Sequence, residues 1–111
     1  MDCPFCDPEI VIFDNDHAVA VPDRSPVSRG HTLIIPKRHV ETLFDATDEE
    51  VLACWQLVQQ VRDRLEGEYS PDGYNIAVNS GRAAGQSVMH AHIHVIPRYG
   101  GKGISRRETG G

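Results

Sequence analysis

Three histidines lie at alternate positions near the end of the chain, in the segment His90-Ala91-His92-Ile93-His94-Val95-Ile96. Residues i, i+2 and i+4 of a β-strand share one face. The spacing therefore predicts a strand with three imidazoles on one side and Ala91, Ile93 and Val95 in a core. An imidazole can bind a metal, carry a proton or attack an electrophile near neutral pH. A solvated polar face would mix residue types rather than repeat histidine, so the segment is interpreted as a functional site.

The loop before this segment, residues 79–87 (NSGRAAGQS), is rich in small residues. Such a loop lets backbone N–H groups approach a phosphate and form an anion site. Glycine-rich loops are usually only turns, but this one leads directly into the histidines. A neutral imidazole beside an anion site suits nucleophilic attack on phosphorus, in which water later resolves a covalent intermediate. The sequence shows no acidic cluster for magnesium and no lysine-containing phosphate loop.

The cysteines offer a second place for chemistry. Cys3 and Cys6 form a Cys-x-x-Cys motif, and Cys54 is predicted to be a buried thiol in a helix. In a reducing compartment the motif indicates a metal site or a redox pair rather than a structural disulfide. A redox motif should follow a strand and open a helix, whereas this one is followed closely by Pro8. A zinc site would need two further ligands, usually His or Cys.

The rest of the sequence predicts an α+β domain whose mainly antiparallel sheet positions these residues. Residues 9–13 and 17–21 are typical of a hairpin, and residues 31–35, 73–78 and 90–96 of three further strands. Thr47 and Glu50 form a capping box at the start of a helix that is predicted to end near Gly67. Apolar residues at spacings of three and four predict its core-facing side: Val51, Trp55, Val58, Val61 and Leu65.

Length and charge exclude several classes of function. The chain has 111 residues and a formal net charge of −5, so we expect one domain and no nucleic-acid or anionic membrane surface. Residues 1–100 are assigned to the domain, and residues 101–111 to a flexible or partner-contacting tail. No apolar run approaches the ~20 residues that cross a bilayer, and the first residues lack a signal-peptide pattern. A cytoplasmic location is therefore expected.

The histidine segment resembles the His-φ-His-φ-His-φ-φ signature of the histidine triad (HIT) proteins. Residues 30–39 resemble the central strand of that family, and residues 79–98 resemble its phosphate loop, triad strand and Pro-Arg exit. The resemblance runs from about Cys3 to Arg98. It implies a HIT-like fold, with a mainly antiparallel five-stranded sheet and one main helix. It also implies an enzyme, a nucleotide hydrolase or transferase that cleaves the α-phosphate linkage of nucleoside monophosphate derivatives through a nucleotidyl-histidine intermediate.

The resemblance also implies roles for individual residues. His92 matches the nucleophile, His94 the residue that contacts the phosphate and leaving group, and His31 the fourth active-site histidine. Asp23 matches an acidic residue on the ribose hydroxyls of a purine nucleotide, although it could be only a turn residue. The remaining substrate-binding positions are those of the phosphate loop, namely Asn79, Gly85, Gln86 and Ser87. Ser87 could instead only cap a turn.

Some HIT branches, and the related galactose-1-phosphate uridylyltransferases, bind zinc through a Cys-x-x-Cys motif and two histidines. Cys3, Cys6, His39 and His90 match that set. Four N/S ligands with no open position would make a structural zinc site. The alternative is that the thiols are free and His90 only forms hydrogen bonds within the active site.

HIT domains commonly form homodimers in which the sheet continues across the interface, and we expect the same here. A lone five-stranded sheet would leave a long apolar edge, which proteins usually protect. The helix is also more apolar than one core face requires, since Leu52, Cys54 and Leu57 lie outside the predicted stripe.

The leaving group stays open among dinucleoside polyphosphates, nucleoside phosphoramidates and acyl-adenylates. The phosphoramidase branch often carries a tryptophan at its C-terminal end, whereas the one tryptophan here is Trp55, in the helix. A second hypothesis is a purine-nucleotide-binding or partner-binding module with little turnover. The intact triad, which includes His92, favours the enzyme.

Overall fold

Short β-rich segments separated by turns form one antiparallel sheet in the computed structural model, which describes residues 3–100. The strands run in the spatial order β1-β2-β3-β5-β4. Their bounds are Phe13–Asp14 for β1, Ala18–Pro22 for β2, Thr32–Pro36 for β3, Gly73–Ala77 for β4 and Ile93–Arg98 for β5. The predicted α+β fold with five strands and one main helix is confirmed. The predicted tail over residues 101–111 lies outside the described residues.

The helix α1, Asp48–Tyr69, begins at the predicted capping box. The Glu50 amide donates to Thr47 Oγ1 at 3.1 Å, and the Thr47 amide donates to Glu50 Oε1 at 2.8 Å. The helix was predicted to end near Gly67, and its last residue is Tyr69. The next residue, Ser70, has a φ of 49° and precedes Pro71. Nothing lies within 4 Å of the position of a Gly67 Cβ, so this glycine interrupts no packing. No helix of residues 3–100 is both long and apolar enough to cross a membrane.

The buried face of α1 differs from the predicted one. Val58, Val61 and Leu65 are buried as expected, but Val51 is 40% exposed and Trp55 is 48% exposed. Trp55 lies about 120° around the helix from Val61, because successive residues advance by about 100°. The buried stripe of the helix includes three residues in their stead, which lie nearer its centre, namely Ala53, Cys54 and Leu57.

The two faces of the sheet carry different clusters. One face packs against α1 and includes Ile93 and Val95 in its core, as predicted. The opposite face carries a smaller apolar cluster that includes Val21 and Leu33. His94 is the register partner of Leu33, so it lies on this opposite face, away from the helix. The sheet thus separates the structural core from the histidines.

The last strand begins later than predicted. β5 starts at Ile93, so His90 and His92 precede the strand rather than belong to it. The strand also continues through Pro97, which was predicted to stop it. Pro97 pairs only with β4, since the pairing of β5 with β3 ends at Val95. A proline is tolerated where no ladder hydrogen bond is required from its nitrogen.

Candidate active site and metal cluster

A cavity of about 450 Å³ lies on the sheet face opposite α1. His92 and His94 contribute to one side of it, together with His31 and Asp23. Its apolar lining comes from the beginning of the chain and from β2, β3 and the loops beside them, namely Pro4, Phe5, Pro8, Ile10, Val21, Pro22, Val27, Leu33 and Val88. A largely apolar cavity with a few convergent polar groups is the usual form of a small-molecule site.

His92 is held in one defined orientation. Its Nδ1 lies 2.9 Å from the backbone carbonyl oxygen of His90. A carbonyl can only accept, so Nδ1 carries the hydrogen and the neutral ring has its lone pair on Nε2. His92 lines the cavity although it is buried. The ring therefore offers a nucleophilic nitrogen there without any change of tautomer.

His31 and His94 form a hydrogen-bonded pair with a fixed direction. The Val27 amide donates to Nδ1 of His31 at 3.0 Å, so the hydrogen of neutral His31 is on Nε2. That nitrogen lies 2.9 Å from Nδ1 of His94 and donates to it. The hydrogen of neutral His94 must then be on Nε2. Among residues 3–100, this is the one buried side-chain nitrogen or oxygen that has no hydrogen-bond partner.

Burial keeps this pair neutral. Burial, together with the neighbouring His92 and His31, lowers the pKa of His94 to about 4. Burial likewise lowers the pKa of His31, although the Asp23 carboxylate opposes it. Asp23 Oδ2 lies 3.2 Å from Nε2 of His31, and Oδ1 accepts from the Ser25 amide at 2.8 Å. The site thus combines an N–H group without a hydrogen-bond partner on His94, a ring nitrogen of His92 that carries no hydrogen in the neutral tautomer, and the carboxylate of Asp23.

The loop before the triad contributes less of its side-chain surface than predicted. Ser87 lines the cavity, but Asn79, Gly85 and Gln86 do not. The Gln86 side chain accepts from the Gly81 amide at 2.7 Å and donates to the carbonyls of Glu41 and Val88. Gly85 has a φ of +94°, which favours glycine and closes the turn. Gln86 and Gly85 therefore shape the loop, and only Ser87 of the four reaches the cavity.

The predicted metal ligands do lie together. The donor atoms of Cys3, Cys6, His39 and His90 are all within 4.8 Å of one another. His90 Nε2 donates to the Pro36 carbonyl at 2.8 Å, which leaves the Nδ1 lone pair facing the sulfurs of Cys3 at 3.2 Å and Cys6 at 3.5 Å. Nδ1 of His39 lies 3.0 Å from Sγ of Cys6.

This donor set fits a tetrahedral metal ion. Zinc–ligand lengths of about 2.0–2.3 Å imply ligand–ligand distances of roughly 3.6 Å, close to those observed. Burial lowers the pKa of His90, which favours the neutral, ligating form. The hydrogen bond from Nε2 to the Pro36 carbonyl is the type of outer contact that fixes the tautomer of a metal-binding histidine.

A second group of possible ligands, Asp23, His31 and His94, does not fit a metal in the same way. The Val27 amide occupies the lone pair of Nδ1 of His31, so the nitrogen nearest Asp23 carries a hydrogen. A nitrogen that carries a hydrogen has no lone pair for a metal. Backbone hydrogen bonds therefore give the two clusters different chemistry. The cluster of Cys3, Cys6, His39 and His90 has lone pairs for a metal ion, whereas the pair of His31 and His94 has N–H groups that donate hydrogen bonds.

Several residues that shape the site have no signal in the sequence. Phe5 packs against the cavity-side cluster and contacts the His92 ring, and no periodic pattern marks it. Arg38 forms a paired contact with the buried carboxylate of Glu50 at 2.8 and 3.0 Å, and no motif in the sequence indicates this contact. This contact lowers the pKa of Glu50 to about 2 and fixes the segment next to His39. The one sequence signal for the cavity wall is the alternation within two strands, which places Val21 and Leu33 on the sheet face away from the helix.

The family model of the HIT domain matches residues 6–101, and the chain belongs to the HIT family. Members of this family are nucleotide-binding proteins and typically nucleotide hydrolases or transferases. The expected family is thereby confirmed.

Three relatives are informative. The chain is 39% identical to Protein hit of Bacillus subtilis over 105 residues, which cover 89% of this chain and 72% of the relative. A zinc-bound histidine triad family protein from Mycobacterium smegmatis has 38% identity and a TM-score of 0.83, with 96% of this chain and 81% of that chain covered. Adenylylsulfatase HINT3 of Arabidopsis thaliana is 37% identical over 103 residues, which cover 87% of this chain and 52% of the plant protein.

Proposed function

We propose that the protein cleaves the bond between the α-phosphorus of a purine nucleoside monophosphate and a leaving group, with His92 as the nucleophile. Nε2 of His92 forms a bond to phosphorus while the bond to the leaving group breaks, and the leaving group departs with the electron pair. Water then attacks the same phosphorus and breaks its bond to Nε2. The nucleoside monophosphate is released, a proton from the water passes to solvent, and neutral His92 is restored.

One observation carries this proposal. The His90 carbonyl holds the hydrogen of His92 on Nδ1, so the lone pair is already on the nitrogen at the opposite edge of a ring that lines the cavity. A nucleophile held in this state needs no proton transfer before it attacks.

His94 has the chemistry to stabilise charge on the transferring phosphoryl group. Its Nε2–H is buried and unpaired, and a phosphate oxygen would satisfy it. The direction of the hydrogen bond from His31 fixes this donor before the substrate arrives. Ser87 is the loop side chain that reaches the same cavity. A substrate-binding role for Asn79, Gly85 and Gln86 rests on the family resemblance alone.

Asp23 and the apolar lining are assigned to the nucleoside. The Asp23 carboxylate lines the cavity, where it can accept hydrogen bonds from ribose hydroxyls. The side chains around it, which include Val21, Val27 and Leu33, offer apolar surface for a flat base. Dinucleoside polyphosphates, nucleoside phosphoramidates and acyl-adenylates remain the candidate substrates. Adenylyl sulfate, a mixed anhydride of AMP and sulfate, joins them because one relative is an adenylylsulfatase.

A substrate panel tests the proposal. Purified protein is incubated with diadenosine polyphosphates, adenosine phosphoramidate and adenylyl sulfate, and AMP release is measured. Rapid quenching followed by peptide mass analysis should find the nucleotide on the peptide that contains His92. His94→Ala should slow turnover by roughly 10- to 100-fold, because it removes one donor to the phosphoryl group. AMP binding without turnover of any compound would favour the alternative, a nucleotide-binding module.

Zinc is proposed for the cluster of Cys3, Cys6, His39 and His90. Four donors with no open position would give a closed structural site that links the beginning of the chain to the loops after β3 and before β5. The zinc-bound relative supports the choice of metal. Protein purified without a metal-affinity tag should contain about one zinc per chain, and a metal-free preparation with unchanged stability would contradict the assignment.

A homodimer is proposed through the β4 edge. Among the described strands, β4 pairs only with β5, and Ile76 and Val78 are exposed there. Leu52 and Trp55 of α1 add further exposed apolar surface. Light scattering at micromolar concentration should give a dimer mass. Ile76→Lys should shift it towards the monomer, and Val11→Lys near the opposite sheet edge should not. A monomeric wild-type mass would reject the dimer.

A further inference from the structure

The turn from Cys3 to Cys6 contributes both to the candidate metal site, the cluster formed by Cys3, Cys6, His39 and His90, and to the wall of the cavity. Cys3 and Cys6 contribute sulfurs to the cluster, while the two residues between them, Pro4 and Phe5, line the cavity. Phe5 also packs against the apolar cluster on the cavity side of the sheet, formed by Val19, Val21, Leu33 and Ile35. A change in the position of this turn must therefore change the cavity wall.

Two separate contacts connect the cluster to His92. The ring of Phe5 meets the ring of His92 edge to face, with centroids 5.0 Å apart and an interplanar angle of 72°. The second contact is the hydrogen bond from Nδ1 of His92 to the carbonyl of His90, which is itself a member of the cluster. One contact restrains the face of the imidazole, and the other sets its tautomer.

The turn has few other restraints. Its backbone makes one internal hydrogen bond, from the Cys6 amide to the Cys3 carbonyl at 3.2 Å. Pro4 and Cys6 are exposed. Segments with few buried contacts open at low free-energy cost. A metal ion bound to both sulfurs and to His39 and His90 would join this turn to two loops that follow buried strands.

We infer that Phe5 is a positioning residue for His92, and that metal binding at the cluster fixes the Cys3–Cys6 turn and thereby completes the wall of the nucleotide cavity. The inference rests on the proposed zinc site and extends the proposed function. The cluster then has a consequence beyond stability, because nucleotide affinity depends on whether it is filled.

Phe5→Leu tests the contact while every cluster ligand stays in place. The variant should retain about one zinc per chain, and AMP affinity measured by calorimetry should fall roughly tenfold. The His92 ring-proton resonances should lose the shift caused by the adjacent aromatic ring. Phe5→Tyr keeps an aromatic ring and should stay within about twofold of wild-type affinity. Phe44→Leu is the matched control, because Phe44 is 88% exposed, and it should change neither measurement.

Removal of the metal tests the coupling. Wild-type protein treated with a chelator should lose at least as much AMP affinity as Phe5→Leu, and its His92 resonances should move in the same direction. Zinc should restore both. If zinc removal leaves the His92 resonances and AMP affinity unchanged in folded protein, the inference is overturned. If wild-type protein does not bind AMP, the proposed function fails, and the His92 resonances alone decide whether the cluster and Phe5 position this ring.

Discussion

Two neighbouring histidine clusters use the same side chain for different chemistry. In the candidate metal site, His90 donates from Nε2 to the Pro36 carbonyl and presents Nδ1 to two sulfurs. In the cavity, His92 donates from Nδ1 to the His90 carbonyl, which leaves Nε2 with the lone pair. The two residues are separated by one alanine, yet the lone pair is on Nδ1 of His90 and on Nε2 of His92.

The difference shows that the backbone decides what each imidazole can do. A carbonyl beside one nitrogen fixes the hydrogen there and leaves the other nitrogen as a ligand or nucleophile. An amide N–H has the reverse effect, as Val27 shows by donating to His31 and making the other nitrogen of that ring a donor. Similar histidine spacing thus leaves a lone pair on Nε2 of His92 and a hydrogen on Nε2 of His94.

The largest expected effect comes from removal of the nucleophile. His92→Ala should lower turnover by about 10³-fold or more, because the unprotonated nitrogens of the other two cavity histidines, His31 and His94, already accept hydrogen bonds. AMP binding should persist, since ribose and phosphate contacts are assigned to other residues. Turnover of the preferred substrate and AMP calorimetry check both parts. His17→Ala is the control, because His17 is exposed and is not one of the residues that line the cavity.

Near-normal hydrolysis by His92→Ala would contradict the assignment of a nucleophile to the cavity cluster. So would inversion of configuration at the α-phosphorus, because two successive displacements at His92 should retain it. Either result would mean that the tautomer set by the His90 carbonyl has another purpose.

Loss of one thiol of the proposed zinc site should lower the stability of the protein. Cys6→Ser should lose zinc and lower the melting temperature by roughly 10 °C or more, since metal binding contributes to folding free energy. Cys54→Ala should keep the metal, because Cys54 lies on α1 and is buried in the core between this helix and the sheet. Calorimetric melting and metal analysis of the two variants separate these outcomes. A Cys6→Ser protein with full zinc content would contradict the ligand assignment.

Much of the fold could be predicted from the sequence, because strand alternation and the Thr47 capping box are local signals. The helix face could not be assigned fully, since Val51 and Trp55 fit one periodic stripe while Cys54 and Leu57 fit a better-centred one. The choice between such stripes depends on how the helix lies on the sheet, which is a tertiary property.

The site was predictable as a set of residues but not as a set of tautomers. The resemblance identified His31, His92 and His94, and the structure brings all three to one cavity with Asp23. Their free nitrogens depend on a Val27 amide and a His90 carbonyl, which carry no sequence signature. The contact of Phe5 with His92 joins residues far apart in the chain and likewise had no local signal.

The smallest expected effect concerns the pH dependence of stability. Burial, together with neighbouring His92 and His31, lowers the pKa of His94 to about 4 from its ordinary 6.5. Between these values the unfolded chain binds more protons at this position than the folded protein. His94 therefore leaves stability unaffected above about pH 6.5 and reduces it as the pH falls towards 4. From pH 7 to pH 5 the loss should be on the order of 1–2 kcal/mol.

His94→Asn removes this titration and keeps all four candidate metal ligands, so any loss of a bound metal in acid should affect the two proteins alike. Denaturant unfolding at pH 7 and pH 5 should show that wild-type protein loses more stability than His94→Asn over this interval. Equal losses would mean that the folded protein accepts a proton on His94 as readily as the unfolded chain does. His94 would then not be the uncharged hydrogen-bond donor described above. The difference between the two clusters would rest only on the tautomers of His90 and His92.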